Sequence, residues 1–236
     1  MNVLRAQPRP ITEIPMSLQD KLDAFKADFE GNKAPPQVVA VMRKATADLV
    51  AARQAERAVQ VGMKAPEFAL TDAHGNTVRS AELLKTGPLV LTFYRGVWCP
   101  YCNMDLQAIE AAANEIRGLG ASLVAISPQT APSRRKSERE NELSFPILSD
   151  HGNALAHQFG LRFRLPDELI AVYKGFGNDL AIGNGEGSWT LPMPARYVIG
   201  TDGVVAYAEV NADYTRRPDP SELLPVLRRL RVTAAA

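Results

Sequence analysis

The chain has 236 residues, 46% of them hydrophobic, with 27 basic side chains against 26 acidic ones. That is enough apolar material for one full domain with an extension, and the near-zero net charge gives no electrostatic reason to expect a nucleic acid or a charged membrane surface as partner. No stretch approaches the ~18 uninterrupted apolar residues of a membrane span, and residues 1–10 lack the apolar core of a secretory signal, so a cytoplasmic location is expected.

From residue 17 to about 60, apolar side chains recur at helical spacing, as Leu18, Leu22, Phe25 and Phe29 and then Val38, Val41, Met42, Ala45 and Leu49. The pattern predicts two helices, capped at Ser17, stopped at Gly31 and Asn32, and restarted at Pro35 and Pro36. Residues 1–60 read as an N-terminal helical extension that packs on the main domain or on a second copy of the chain, as in a homodimer. Beyond Gly62, short apolar runs alternate with amphipathic segments, the mark of a sheet covered by helices, so 61–236 is an α/β domain. Strands are expected at 68–70, 89–94, 122–127, 146–148, 196–199 and 204–209, the last two joined by the Asp202-Gly203 hairpin step. Helices are expected at 99–119, 132–143, 153–159, 166–176 and 220–230. The glycine-bearing stretch 163–194 reads as an inserted helix followed by a flexible segment.

Only two cysteines are present, Cys99 and Cys102. A pair three positions apart is no framework for a disulfide-stapled secreted domain, and in a reducing compartment it suits chemistry better than stability. It follows the apolar run Leu89-Val90-Leu91-Thr92-Phe93-Tyr94 and opens a helix whose buried face reads Leu106, Ile109, Ala113 and Ile116. Cys99 therefore falls at the first turn, where unpaired amides and the helix dipole favour a thiolate, the reactive form near neutral pH. Residues three apart on a helix lie about 5–6 Å from one another, within the roughly 4.4–6.8 Å Cα window of a disulfide, so Cys102 can close on Cys99. Pro100 suits an early helical position because its missing donor is not needed there. The first sulfur is expected to be the exposed nucleophile and the second to resolve the intermediate. Half of a zinc site and two inert core thiols are the alternatives; zinc wants four ligands, and His74, His151 and His157 show no matching spacing.

The run Gly62-Met63-Lys64-Ala65-Pro66-Glu67-Phe68-Ala69-Leu70, the stretch from Asp72 to Gly75, the Gly87-Pro88 step and residues 93–102 resemble the alkyl hydroperoxide reductase and thiol-specific antioxidant (AhpC/TSA) group of peroxiredoxins. More narrowly, Arg95-Gly96-Val97-Trp98-Cys99-Pro100-Tyr101-Cys102, residues 191–199 and Asp213-Tyr214-Thr215-Arg216-Arg217 are similar to a bacterial peroxiredoxin-like branch. The resemblance implies a thioredoxin-like fold, a central mixed sheet flanked by helices, and an antioxidant thiol peroxidase acting on hydrogen peroxide or organic hydroperoxides. In that cycle Cys99 attacks the peroxide and becomes a sulfenic acid, Cys102 condenses with it to a disulfide, and a thioredoxin-like reductant restores the dithiol, with no cofactor or metal.

The likeness has departures. Typical members carry Thr or Ser three residues before the nucleophile and Pro seven before, where this chain has Gly96 and Thr92. Pro194, three before Tyr197, matches the cis-proline that faces the cysteines in thioredoxins and implies a cis Met193-Pro194 bond, with an ordinary loop proline as the alternative. Arg95 and Arg196 are cations that favour a thiolate if they lie near Cys99, and otherwise surface arginines. Trp98, Pro100, Tyr101 and Trp189 are candidates for the wall of the access route, against plain packing. The 213–217 run is expected to be structural. Two other readings use the same sulfurs: a thioredoxin-like protein disulfide oxidoreductase, and a non-catalytic redox sensor or adaptor.

Overall fold

In the computed structural model, which describes residues 16–234 and so leaves the reading of residues 1–10 outside it, Ser17 opens α1 (Leu18–Asp28) through a capping box. Its Oγ accepts from the Asp20 amide while the Asp20 carboxylate accepts from the Ser17 amide, each at 3.2 Å. The helix does not stop at Gly31, which lacks the left-handed backbone that ends helices; a π turn, Phe29–Lys33, carries it to the proline step that starts α2 (Pro36–Ala51).

The chain then runs through β1 (Ala69–Thr71), β2 (Thr77–Arg79), α3 (Ser80–Thr86), β3 (Leu89–Phe93), α4 (Pro100–Gly118), β4 (Ser122–Ser127), α5 (Ala131–Glu140) and β5 (Ile147–Ser149). It continues as α6 (Ala154–Gln158), β6 (Arg162–Arg164), α7 (Asp167–Gly175), α8 (Leu180–Asn184), β7 (Thr190–Pro192), β8 (Ala195–Ile199), β9 (Val205–Val210) and α9 (Leu223–Ala234). Five strands make one mixed sheet in the order β5-β4-β3-β8-β9, with β3, β4 and β5 parallel and β8 and β9 antiparallel to their neighbours.

Every residue of β3 is buried, as a central strand covered on both faces requires. Leu89, Leu91 and Phe93 join one core with Phe159 and Tyr197, while Val90 and Tyr94 face Leu106 and Ile109 of α4 in the other. The β8–β9 hairpin closes as its Asp-Gly step predicts, with Gly203 left-handed at φ 76° and the Gly200 amide donating to the Val204 carbonyl at 2.8 Å.

Three departures from the sequence reading concern short elements. The strand expected at 68–70 is β1, one residue later, but its partner β2 and the helix α3 are too brief for periodicity to reveal, and segment 163–194 is two helices bracketed by an antiparallel β6–β7 ribbon, not one helix and a loose stretch. The Met193–Pro194 bond is trans, since no cis bond occurs among the described residues. The Met193 amide donates to the Leu161 carbonyl and the Pro194 carbonyl accepts from the Asn211 amide, so the proline continues β7 into β8.

Leu18 and Leu22 of α1 are buried in the core they share with α4. The apolar face of this helix is thus covered within the chain, which removes its sequence ground for a second copy at that place. Among the described residues, no helix is long and apolar enough to cross a membrane.

Candidate active site

Strand β3 hands the chain to a loop, Tyr94 to Trp98, that delivers Cys99 to the start of α4. The loop is pinned: Val97 N donates to Gln129 Oε1 at 3.0 Å, Asn103 Nδ2 to the Val97 carbonyl at 2.7 Å, and Cys99 N to the Gly96 carbonyl at 3.0 Å. Gly96 is required here on two counts. Its φ is 153°, and a Cβ on it would lie 2.5 Å from Trp98 Nε1. Trp98 therefore takes the space in which a threonine or serine would stand.

Cys99 is the N-cap of α4, with extended backbone, and its carbonyl accepts from the amides of Cys102 and Asn103 at 3.1 Å. No backbone amide donates to its sulfur. The sulfur accepts instead from Arg95 Nη2 at 3.1 Å. Both cysteines are free thiols.

The electrostatics follow from these contacts. Burial alone would raise Cys99, but the hydrogen bond from Cys102, the charge and hydrogen bond of Arg95 and the charge of Arg217 outweigh it and hold Cys99 well below the ordinary cysteine range. Cys102 goes the other way. Burial, its hydrogen bond to Cys99 and the charge on that sulfur keep it protonated. Arg95 is itself buried, which disfavours its charge, yet the Cys99 thiolate more than restores it. Its guanidinium also donates to Tyr173 Oη at 3.0 Å and lies 3.9 Å from the Tyr214 ring centroid and 5.0 Å from that of Trp98. A planar cation fixed on three sides by rings and a hydroxyl can hold only one orientation toward the sulfur.

The expected exposure of Cys99 is not found: its fractional exposure is 0%, as is that of Cys102. The cover is aromatic. Tyr101 packs edge-on against Phe25 of α1, with ring centroids at 5.2 Å, and against Tyr214 at 5.5 Å, while Trp98 packs on Tyr173 at 5.1 Å. A cleft of about 200 Å³ leads to Arg95 between Phe25, Phe29, Trp98, Pro100, Tyr101 and Phe176. A larger one, of about 550 Å³, ends on the same arginine past Leu49, Phe163 and Pro194.

Of the residues singled out from sequence, the structure thus gathers Cys99, Cys102, Arg95, Trp98, Pro100 and Tyr101, with Pro194 in the wall of the larger cleft. Arg196 belongs elsewhere. It is buried, but its guanidinium pairs with Asp105 and the Pro218 carbonyl and makes no contact with Cys99. Trp189 packs with Leu165, Leu169 and Tyr173 in a separate apolar cluster and lines neither cleft. The sequence reading missed Tyr173, Phe25, Asp105 and the roles of Tyr214 and Arg217. Asp105 carried a signal, an acid three residues after Cys102 on the helix face that buries Leu106 and Ile109. Tyr173 carried none, because α7 reaches the site only through the tertiary fold.

The sequence profile of the AhpC/TSA family matches residues 61–208. The chain is 28% identical over 209 residues to peroxiredoxin Q, chloroplastic, of Triticum aestivum, an alignment spanning 86% of this chain and 83% of that one. It is 29% identical over 172 residues to the peroxiredoxin Q, chloroplastic, of Oryza sativa subsp. japonica, covering 73% and 68%. Among solved structures, the peroxidoxin BcpB from Mycobacterium tuberculosis superposes with a TM-score of 0.57 at 24% identity, covering 72% of this chain and 97% of the other. A cysteine-to-serine mutant of the peroxiredoxin 6 of Arenicola marina gives the same TM-score of 0.57 at 20% identity, covering 75% of each chain. With its mixed sheet, its flanking helices and its paired thiols beyond the C-terminal end of the central strand, the chain belongs to the AhpC/TSA family and is a thiol-dependent peroxidase of thioredoxin-like fold.

Proposed function

We propose that Cys99 is the peroxide-attacking sulfur, that Cys102 resolves it, and that a thioredoxin-type dithiol protein recycles the pair. The observation that carries this reading is the Arg95 guanidinium 3.1 Å from the Cys99 sulfur, with the free thiol of Cys102 in the first turn of the helix that Cys99 caps. The Cys99 thiolate attacks one peroxide oxygen, the O–O bond breaks, and the other oxygen leaves as water or an alcohol after taking a proton. The resulting sulfenic acid is then attacked by Cys102, an S–S bond forms, and the oxygen departs as water. Arg95 Nε is buried and has no partner, so one donor beside the sulfur is left for a substrate oxygen in place of the hydroxyl that Gly96 lacks. Substrates are hydrogen peroxide or small organic hydroperoxides. In the same reading residues 61–236 are the catalytic domain, residues 1–60 are a helical extension, and the chain works in the reducing cytoplasm.

The test is rapid mixing of the reduced protein with one equivalent of hydrogen peroxide, repeated on Cys102→Ser with a sulfenic-acid trap. Fast oxidation of the wild type and a trapped sulfenate at Cys99 are expected. Slow oxidation together with rapid reduction of insulin disulfides assigns the pair to protein disulfide exchange instead, and oxidation that alters partner binding without turnover assigns it to sensing.

A further inference from the structure

Cys102 has a cation of its own. Arg217 Nη2 donates to Cys102 Sγ at 3.6 Å, and its Nε donates to Asp105 Oδ2 at 3.2 Å. The second Asp105 oxygen accepts from Arg196, and all four residues are buried. The loop that carries Arg217 is tied from outside by α1. Gln19 Oε1 accepts from the Arg217 amide at 3.0 Å, Gln19 Nε2 donates to the Thr215 carbonyl at 3.3 Å, and Arg216 pairs with Asp23 at 3.5 Å. Asp105 from the helix below and Gln19 from the extension thus hold one guanidinium against one sulfur.

In the reduced protein the Arg217 charge adds to those that favour the Cys99 thiolate, but its hydrogen bond goes to Cys102, the protonated member of the pair, which takes no part in the attack on peroxide. We propose that Arg217 is a catalytic residue of the reductive half-reaction, receiving Cys102 as a thiolate when a dithiol reductant opens the Cys99–Cys102 disulfide. The step rests on the assignment of Cys99 as attacking and Cys102 as resolving sulfur. A reductant thiolate attacks Cys99 Sγ, a mixed disulfide forms, the Cys99–Cys102 bond breaks, and its electron pair leaves on Cys102 beside Arg217. Cys102 then takes the proton of the reductant's second thiol. That second sulfur, now a thiolate, displaces Cys99, so the reductant departs as its disulfide and the enzyme returns as thiol plus thiolate. In the mixed disulfide Cys99 bears no charge, so the repulsion that opposes an anion on Cys102 in the reduced protein is gone and only burial stands against the arginine. A better-stabilised thiolate leaves faster.

The experiment oxidises the full chain with one equivalent of hydrogen peroxide and follows its reduction by dithiothreitol and by a thioredoxin under rapid mixing. An opposite charge at contact lowers a thiol by roughly one to three pH units, and exchange rates respond with a slope of about one half, so Arg217→Met should slow reduction roughly three- to thirtyfold. Arg217→Lys, which keeps the charge, should recover most of that loss. Because Arg217→Met also strips a partner from Asp105, Gln19→Ala serves as a second variant that leaves the buried cluster intact and should slow the same step roughly twofold to threefold. Reduction of Arg217→Met at the wild-type rate overturns the proposal, as do Met and Lys variants that fold and are slowed equally. The underlying assignment fails separately: if one equivalent of hydrogen peroxide oxidises the wild type without forming a Cys99–Cys102 disulfide, Cys102 is not the resolving sulfur, whatever Arg217 does.

Discussion

Removal of the Arg95 charge is the most direct perturbation of the site. Arg95→Met keeps length and apolar contact with Trp98 and Tyr214 but deletes the donor 3.1 Å from Cys99 and the charge behind it. In the wild type, burial alone would lift Cys99, and the hydrogen bond from Cys102 with the charge and bond of Arg95 reverses that. A cysteine at its ordinary value of about 8.5 is only about 3% thiolate at pH 7. Without Arg95, only the Cys102 hydrogen bond and the Arg217 charge oppose the burial of Cys99, so the rate of oxidation by peroxide at pH 7 should fall toward that of an ordinary cysteine, by up to about thirtyfold, and should climb with pH where the wild-type rate is flat. The ultraviolet absorbance of the thiolate, titrated in the Cys102→Ser background, reports the same change without substrate. A titration midpoint still well below neutrality in Arg95→Met would refute the reasoning, because some other group would then hold the anion. Arg95→Lys should recover part of the rate only, since an ammonium cannot keep both the sulfur and the Tyr173 hydroxyl in a planar fork.

Stability of the reduced protein should carry the thiol signature. The folded-state value of Cys99 lies below the unfolded one, so its contribution is complete above about 8.5 and is lost as pH falls through the folded value; the difference in unfolding free energy between wild type and Cys99→Ser, from urea titrations, should grow from acid to about pH 8, and a flat difference would sink the claim. Cys102, raised by burial and then by Cys99, contributes fully below that point and loses its contribution above it, so Cys102→Ser should remove an alkaline decline. Gly96→Ser, which restores the hydroxyl of related sequences, should lower stability by about 1–3 kcal/mol from backbone strain, with the clash against Trp98 in addition; an unchanged urea midpoint contradicts the account of that glycine. Phe25→Ala should speed alkylation of Cys99 by a bulky maleimide while weakening the packing of α1 by about 1–2 kcal/mol, and unchanged alkylation would show that the extension does not cover the sulfur.

The sheet was legible because its strands are long or wholly apolar. The runs 89–94 and 122–127 and the Asp-Gly hairpin each carry a local signal that the fold has no cause to override. The pieces that escaped are β2, β6, β7, α3 and α8, of three to seven residues, whose place is set by what lies opposite them and not by their own pattern. The site divides in the same way. Cys99, Cys102, Arg95, Trp98 and Tyr101 are neighbours in sequence and could be read as a group, whereas Tyr173, Tyr214, Arg217 and Phe25 arrive from three other elements.

The source of the thiolate is where local reasoning went furthest astray. A cysteine at a helix start invites the inference that amides and the dipole hold its anion, and in a solvated site that would suffice. Here the sulfur has no exposed surface, and burial acts against the anion more strongly than any one neighbour acts for it. A partial charge at a helix end is a weak counterweight in such surroundings, whereas a full charge in contact is a strong one. The guanidinium in turn is tolerable in the interior only because the sulfur and the faces of Trp98 and Tyr214 surround it. The thiolate and Arg95 are therefore conditions for each other. A change that opens the aromatic cover, even one far from the cysteines along the chain, should weaken the pair by admitting water to both charges at once.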